Sequence, residues 1–320
     1  MRVCVGTTLH HPEDARIMHR QIRALLDAGH EVTYVAPFTH FNVTPVPPIT
    51  AIDVRRGGVP RAALRRGAKD ADLLVLHEPE LLLALPFRHP PVVLDIRDEP
   101  VGTLGRGLVT RARRLHHVLE PDAAEATQAA TAPPPPGDTR IVHIGRLTTP
   151  KGVQELIDLA HRLVPHGIRL DLIGAADREV RPLLRDAQRV GLLDWYGYVP
   201  NRHALRMAEG ALAGVCLWRE PSARPPTKVL DYMGRGVPVV TTPVAGAVVE
   251  QAGCGSVVPY GDVDAALNAL LDLKEDPERR AKLGAAGNAL ARRHHHWPDQ
   301  AAAFVGRLEN WAGVAHELAV

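Results

Sequence analysis

Short apolar runs alternate with longer amphipathic segments along most of the chain. The first half has apolar runs at residues 1–5, 31–36, 71–76 and 92–96, a pattern typical of strands buried on both faces of a parallel sheet. Residues 13–28 carry apolar side chains at helical spacing and are predicted to form a helix. The other elements predicted in this half are helices at 78–84 and 104–115 and a short strand at 116–119.

The second half repeats the same rhythm more regularly. Apolar runs here alternate with segments of helical periodicity, and this alternation predicts a doubly wound parallel sheet. The predicted strands are residues 140–144, 169–173, 194–198, 214–218, 238–241 and 255–258. The predicted helices are residues 152–163, 178–190, 203–208, 227–234, 247–252 and 264–273, followed by a helical tail from residue 277 that breaks at Pro298.

Four consecutive prolines at 133–136 separate these two halves. Such a run favours an extended linker and cannot continue a helix or a central strand. We therefore expect a first domain at 1–137 and a second at 138–298, with a C-terminal helix at 299–320 packing back on the first. The predicted fold class is α/β, with two Rossmann-like domains that face each other across a cleft and bind ligands at the carboxyl ends of their strands.

Composition narrows the classes of function. The 320 residues carry a net charge of +2 and only 4 % aromatic residues, which argues against nucleic acid as a partner. The three cysteines, Cys4, Cys216 and Cys254, are widely spaced and are expected to be buried thiols. The first residues form a predicted strand without a signal peptide, and no apolar run reaches the roughly 18–20 residues of a membrane span. We expect a cytoplasmic protein, with possible contact at the inner face of the membrane.

Two basic segments in the second half have the chemistry of a phosphate site. Gly145 and Arg146 follow a predicted strand, and Lys151 stands where the next helix begins. Backbone N–H groups at a helix start, together with two cations, favour an anion. Lys228 and Asp231 lie at i and i+3 on a later helix, where a carboxylate would accept hydrogen bonds from sugar hydroxyls. The alternatives are ordinary surface cations in the first segment and a simple Lys228–Asp231 pair in the second.

In the first half, polar residues follow two neighbouring strands. His77 and Glu78 come after one strand, while Asp95, Asp98 and Glu99 end the next. Carboxylates at one sheet edge would orient acceptor hydroxyls or serve acid–base chemistry. The alternative is structural, with Glu78 capping a helix and loop carboxylates pairing with Arg97.

The remaining clusters have weaker patterns. The loop after the first strand lacks the glycine fingerprint of dinucleotide-binding folds, and His10 and His11 fit surface imidazoles better than metal ligands. Residues 294–296 are three histidines at a predicted helix kink, with Trp297 expected between helices and a metal-binding tract as the alternative. The basic segment at 55–69 is read as a solvated helix face, with weak contact to an anionic membrane as the alternative.

Together these motifs resemble the retaining GT-B glycosyltransferases of family 4, in a bacterial branch that acts in polysaccharide or natural-product pathways. The likeness covers almost the whole chain, and the combination of its motifs is specific. They are the Gly-Arg-Leu and Lys-Gly pair at 145–152, Leu-Ile-Gly at 172–174, Tyr-Gly-Tyr-Val-Pro-Asn at 196–201, Pro-Thr-Lys-Val-Leu-Asp-Tyr-Met at 226–233, Asp-Ala-Arg-Ile at 14–17, His-Glu-Pro-Glu-Leu-Leu at 77–82 and Leu-Asp-Ile-Arg-Asp-Glu at 94–99.

The resemblance implies transfer of a sugar from a nucleotide diphosphate donor with retained anomeric configuration. Arg146 and Lys151 would hold the diphosphate and stabilise it as it leaves, without a metal or any other cofactor. Lys228 would sit near the phosphates, and Asp231 would bind the ribose. The other implied donor-side residues are Gly145, Gly174, Tyr198, Val199, Pro200 and Thr227. The implied acceptor-side residues are Gly6, Thr7, Asp14, Arg16, His77, Glu78, Asp98 and Glu99, and the acceptor would be a glycan, a lipid-linked sugar or a small molecule.

Two positions depart from the family pattern. The family often has two glutamates separated by seven residues, where this chain has Ala223 and Asp231. Arg97 stands where many relatives carry a histidine, and although an arginine cannot act as a base at neutral pH, it stays a catalytic candidate with Arg146 and Lys151. These departures leave two alternatives open: a catalytically silent binding or scaffold subunit, and a nucleotide-sugar epimerase on the same scaffold.

Overall fold

The structure is a computed structural model that describes residues 1–96, 102–119, 127, 129–222 and 226–313. It divides into two compact units, one formed by Met1–Asp122 with Pro298–Val320 and the other by Ala123–Trp297. Each unit is built on a six-stranded parallel sheet with flanking helices, which confirms the predicted α/β class. The polyproline segment lies in the second unit, where Pro133 lies against Gly236. The linker predicted there stays a prediction.

The sheet of the first unit has the strand order β3-β2-β1-β4-β5-β6, and every pair is parallel. Its strands are β1 Arg2–Gly6, β2 Glu31–Ala36, β3 Thr50–Asp53, β4 Leu73–Leu76, β5 Val92–Asp95 and β6 His117–Leu119. Strand β3 was not predicted, because this edge strand mixes polar and apolar residues and has no continuous apolar run.

A helical segment follows β1 but begins later than the predicted residue 13. It starts as a π-helix at Ile17–Ile22 and continues as α1 at Arg23–Asp27. The carboxylate of Asp14 accepts hydrogen bonds from the backbone N–H of Arg16 at 2.9 Å and of Ile17 at 3.2 Å. Asp14 therefore caps the segment and fixes its start. The other helices between the strands of this unit are α2 Phe38–Phe41, α3 Arg61–Ala68, α4 Gly102–Leu115 and a 3₁₀ helix at Pro79–Ala84.

The sheet of the second unit has the order β12-β11-β10-β7-β8-β9, again with only parallel pairs. Its strands are β7 Arg140–Ile144, β8 Arg169–Ile173, β9 Asp194–Trp195, β10 Ala213–Cys216, β11 Val239–Thr241 and β12 Gly255–Val257. The helices are α5 Val153–Leu163, α6 Arg181–Arg189, α7 Asn201–Ala208, α8 Thr227–Gly234, α9 Gly246–Ala252, α10 Val263–Glu275 and α11 Pro277–His294.

Helix α8 packs tightly over the centre of this sheet. Tyr232 is fully buried, and its ring covers Gly214, where a Cβ atom would lie only 2.3 Å from ring atoms. Its hydroxyl accepts a hydrogen bond from the backbone N–H of Ile144 at 2.8 Å. The packing and this hydrogen bond fix the first turn of α8 above the carboxyl ends of β7 and β10.

The helical tail breaks slightly before the predicted position. His295 and His296 separate α11 from α12, which runs from Trp297 to Ala312. The backbone of Thr127 bonds to both sides of the break, donating to the carbonyl of His295 at 2.6 Å and accepting from Trp297 N at 2.9 Å. Pro298 is the second residue of α12. A backbone N–H in the first turn has no partner inside the helix, so a proline there costs no hydrogen bond.

The three cysteines are free and buried, as predicted. Burial raises the pKa of the Cys4 and Cys254 thiols to about 12, so neither is a reactive thiolate at neutral pH. Among the helices that the structure describes, none is both long and apolar enough to cross a bilayer.

Gly152 and Gly191 provide a test of the packing at the start of α5. Both have a left-handed backbone, with φ of 79° and 75°, but a Cβ atom would lie 1.7 Å from the carbonyl oxygen of Leu217 at Gly152 and would meet nothing within 4 Å at Gly191. We expect Gly191→Ala to cost about 1 kcal/mol of unfolding free energy and Gly152→Ala at least about 2 kcal/mol more. Chemical denaturation checks this, and equal losses in the two variants would contradict the tight packing.

Candidate functional site

The carboxyl edge of the second sheet has a crevice set by its topology. The chain runs from β7 outward to β8 and β9, then returns to form β10, β11 and β12 on the other side of β7. The direction of winding therefore reverses between β7 and β10. In open α/β sheets, ligands bind outside the carboxyl ends of the strands at such a switch point.

Two glycines allow the backbone to pack closely at the sheet edge beside this crevice. Gly145 donates its N–H to the carbonyl of Ile173 at 2.8 Å. A Cβ atom at Gly174 would lie 1.9 Å from the carbonyl oxygen of Gly145. The structure thus brings together two residues predicted for the donor side and shows why position 174 requires glycine.

Two predicted cations converge on one aromatic ring at the switch point. The Nζ of Lys151 lies 5.1 Å from the ring centroid of Trp218, and the Nζ of Lys228 lies 6.0 Å from it. Ammonium groups over an indole face are attracted by its negative quadrupole. The turn that carries Lys151 is tied to the β10 segment, because Arg219 donates its backbone N–H to the carbonyl of Pro150 at 3.1 Å.

A buried histidine lies beneath Lys228. His143 is fully buried in β7, and its Nδ1 lies 3.0 Å from the carbonyl oxygen of Val215, while its Nε2 lies 2.9 Å from Lys228 Nζ. A carbonyl only accepts, so Nδ1 carries the proton and donates it to Val215. Nε2 then has a free lone pair and accepts from the ammonium of Lys228.

Burial governs the protonation of both groups. Burial, together with the charge of Lys151, lowers the pKa of Lys228 to about 8. Burial and the charge of Lys228 hold the pKa of His143 well below its ordinary value. At neutral pH the pair is therefore an ammonium and a neutral imidazole. No carboxylate in the described part of the chain forms an ion pair with Lys228, so its charge lacks a counterion there.

Arg146 is placed differently. Its side chain is 59 % exposed, and both Nε and Nη2 lie 2.7 Å from Oδ1 of Asp177. An exposed pair of this kind contributes little to stability and can exchange for another anion.

Asp231 lies one turn further along α8 than Lys228. It is buried, and its Oδ1 accepts a hydrogen bond from Thr127 Oγ1 at 2.7 Å. The alternative of a Lys228–Asp231 pair is therefore wrong, because Lys228 donates to His143 instead. The remaining donor-side candidates lie near the same edge, with Thr227 as the first residue of α8 and Tyr198, Val199 and Pro200 in the loop between β9 and α7.

The first sheet has its own switch point, between β1 and β4. Here Glu78 is buried and binds the loop after β1, where Gly6 ends the strand. Its carboxylate accepts from Thr7 Oγ1 at 2.5 Å, from Thr8 N at 2.9 Å and from Leu9 N at 3.2 Å. Glu78 does not cap the helix that follows it, so that alternative is wrong. The side chain holds the β1 loop in place.

Asp95 is the centre of a second buried network in this unit. Its carboxylate accepts from Arg16 Nη2 at 2.5 Å and Gln21 Nε2 at 2.7 Å, and His77 Nδ1 lies 3.3 Å from it. Burial alone would raise the pKa of Asp95, but the hydrogen bond from His77 and the charge of Arg16 lower it below its usual range. Two acceptor-side candidates, Arg16 and His77, are thus brought together around Asp95.

Several predicted site residues lie outside the described residues. These are Arg97, Asp98, Glu99 and the departing position Ala223. Within the described ranges, no group of three or more histidine, cysteine, aspartate or glutamate side chains is arranged to hold a metal ion.

Sequence patterns missed three residues of the second unit. Asp177 lies in the loop after β8, where nothing distinguishes it from a surface carboxylate. Trp218 and His143 stand in apolar runs that were read only as strands. The one available signal was a histidine in a strand predicted to be buried on both faces, because a buried imidazole needs hydrogen-bond partners.

The comparisons with known proteins agree with this placement. Residues 138–276 match the family model described as Glycosyl transferases group 1, which lies within the second unit. No curated protein is significantly similar to the chain in sequence.

Solved structures share the fold across almost the whole chain. Anabaena HepE in complex with UDP-glucose is 17 % identical with a TM-score of 0.70, covering 97 % of this chain and 100 % of that one. Sucrose-phosphate synthase from Thermosynechococcus elongatus is 15 % identical with a TM-score of 0.71, covering 98 % and 99 %. AviGT4, a glycosyltransferase involved in avilamycin A biosynthesis, is 22 % identical with a TM-score of 0.56, covering 98 % of each chain.

At these identities the likeness shows the fold, which is the two-domain α/β fold of GT-B glycosyltransferases. The matched family model covers the sheet that carries the Lys151, Lys228 and Trp218 cluster. The family model matched over residues 138–276 and the shared fold together support a glycosyltransferase.

Proposed function

We propose that the chain transfers a sugar from a nucleotide diphosphate sugar to a hydroxyl acceptor. The observation that carries this proposal is the convergence of Lys151 and Lys228 on Trp218 at the β7–β10 switch point. Lys228 is buried there and forms no ion pair with the described carboxylates, and a buried charge is costly until an anion compensates it. A diphosphate supplies that anion.

The same cations fit the chemistry of the leaving group. When the bond to the sugar breaks, negative charge grows on the departing diphosphate, and fixed ammonium groups stabilise it without a metal. Arg146 joins them when its exposed guanidinium exchanges Asp177 for a phosphate. Retention of the anomeric configuration follows the family resemblance and belongs to this proposal. Asp231 would accept hydrogen bonds from the ribose, as the resemblance implies.

The first unit would bind the acceptor. Its β1 loop, held by Glu78, and the Asp95 network with Arg16 and His77 meet at the carboxyl edge of the first sheet. HepE has been crystallised with UDP and glucose, which is consistent with a sugar acceptor or product class. A glycan, a lipid-linked sugar and a small molecule are all candidates here, and the cytoplasmic location stays a prediction.

Binding of nucleoside diphosphates tests the proposal. We expect UDP, GDP or dTDP to bind the full chain, and Lys228→Ala or Lys151→Ala to weaken the bound nucleotide's affinity about 10- to 100-fold, since a hydrogen bond to a charged group contributes about 1.5–3 kcal/mol. Lys282→Ala is the matched control, because Lys282 is exposed on α11 and far along the chain from the site. Isothermal titration calorimetry measures the nucleotide affinity of the unmodified protein and of the three variants.

Three outcomes would decide against a transferase. If none of the three nucleotides bound, the proposed donor site would be wrong. If they bound but no sugar were transferred or hydrolysed from any matching donor, a silent binding subunit would explain the chain better. Conversion of the donor alone, followed by NMR, would instead identify an epimerase.

The affinity for nucleotide depends on pH in a defined direction. Because the pKa of Lys228 is lowered to about 8, its ammonium is present at pH 7 and is lost as the pH rises through about 8. Binding should therefore weaken between pH 7 and 9.5. The affinity of the Lys228→Arg variant for nucleotide should change little over this pH range, since a guanidinium stays charged.

His143→Leu extends this test. Loss of the Nε2 acceptor removes a hydrogen bond that favours the charged form of Lys228, so the weakening should begin at a lower pH. His143→Gln, which restores an acceptor oxygen, should return the midpoint toward that of the unmodified protein. An unchanged midpoint in His143→Leu would contradict the role assigned to the His143–Lys228 hydrogen bond.

A further inference from the structure

A cavity of about 730 Å³ opens in the first unit, beside the loop that follows β1. Its walls come from the loops that follow three neighbouring strands. Leu9 follows β1, Thr39 and His40 belong to α2 after β2, and the segment from Asp53 to Gly57 begins at the last residue of β3. The cavity therefore lies at the carboxyl edge of the sheet, the edge at which doubly wound sheets bind ligands.

Hydrogen bonds hold the loops that form its walls. Gly57 donates its N–H to the carbonyl of Thr8 at 3.0 Å, which joins the β3 loop to the β1 loop. Asp53 accepts from Thr39 N at 2.9 Å and from Thr39 Oγ1 at 2.6 Å. The one carboxylate of the lining thus already serves to fix α2 against the end of β3.

Two guanidinium groups give the cavity its charge. Arg55 and Arg56 both line it, and within the described ranges neither forms an ion pair with a carboxylate. The guanidinium carbon of Arg56 lies 5.5 Å from the ring centroid of Phe41, and this cation–π contact restrains it. Restrained guanidinium groups bind phosphate oxygens well, because their planar forks match the geometry.

The basic segment predicted from the sequence is therefore divided by the fold. Arg55 and Arg56 line a concave site, whereas Arg65 and Arg66 are exposed on helix α3 and do not line it. Apolar surface is also available, because Leu9 is 48 % exposed and Val54 forms part of the wall. Such a cavity fits a phosphate group that is attached to a larger molecule.

We propose that this cavity binds a phosphate group of the acceptor, through Arg55 and Arg56. The acceptor is then a phosphorylated compound, either a soluble sugar phosphate or a lipid with a phosphate headgroup. The identification of the bound phosphate compound as the acceptor rests on the proposed function. The binding of phosphate by the cavity is independent of the nucleotide site in the second unit.

The test uses the full chain with excess UDP, so that the nucleotide site is filled. Glucose 1-phosphate and inorganic phosphate are the soluble probes, and glucose is the uncharged control. Vesicles of phosphatidylcholine with and without phosphatidic acid are the lipid probe. Two double variants are compared: Arg55→Gln with Arg56→Gln in the cavity, and Arg65→Gln with Arg66→Gln on α3, which removes the same charge outside it.

We expect the unmodified protein and the α3 variant to bind glucose 1-phosphate or phosphatidic acid vesicles equally well, and the cavity variant to bind at least tenfold more weakly. Binding of the soluble probe alone identifies a soluble acceptor, and binding of the vesicles alone identifies a lipid. Equal losses in both double variants, or no binding of any phosphate probe, would overturn the proposal.

UDP binding separates this proposal from the proposed function. The cavity variant should bind UDP as the unmodified protein does and should unfold at the same temperature, since both arginines are exposed. If UDP did not bind the unmodified protein, the donor site would fail. The phosphate probes, repeated in the Lys228→Ala protein without UDP, would then still test the cavity.

Discussion

The hydrogen bond from Lys228 to His143 is the interaction on which the candidate donor site depends. Its 2.9 Å length and complete burial of the imidazole place an ammonium at the β7–β10 junction without a described carboxylate to neutralise it. A neutral acceptor positions the cation and leaves its charge available. A carboxylate in the same place would also have positioned Lys228, but it would have cancelled the field that an incoming diphosphate needs.

The packing around this hydrogen bond keeps Lys151 and Lys228 in fixed positions. Tyr232 fixes α8 over Gly214 and bonds to the end of β7, while Gly152 brings the Lys151 turn against the carbonyl of Leu217. Neither contact would survive a larger residue at the glycine. Preorganised charge of this kind stabilises a developing anion without reorganisation during the reaction. The free energy needed to bury the Lys228 ammonium is supplied during folding and not during the reaction.

The sequence alone predicted most of the fold and the cations of the site, for physical reasons. Buried parallel strands are continuous apolar runs, so the second sheet was visible, whereas the edge strand β3 with its polar residues was not. Lys151 and Lys228 could be found because each follows a local turn signal. His143 and Trp218 could not, since their roles arise only when β7 pairs with β10; His143 meets Val215, 72 residues away. Glu78 likewise bonds to Thr7, 71 residues away.

The most direct measurement of the central claim is the number of protons taken up when UDP binds. Titration calorimetry at pH 8, in buffers of different ionisation enthalpy, gives this number. Because the pKa of Lys228 is about 8 in the free protein and a bound diphosphate raises it, we predict an uptake of about half a proton, absent in Lys228→Arg. Binding without proton uptake, or the same uptake in Lys228→Arg, would show that Lys228 does not receive the diphosphate.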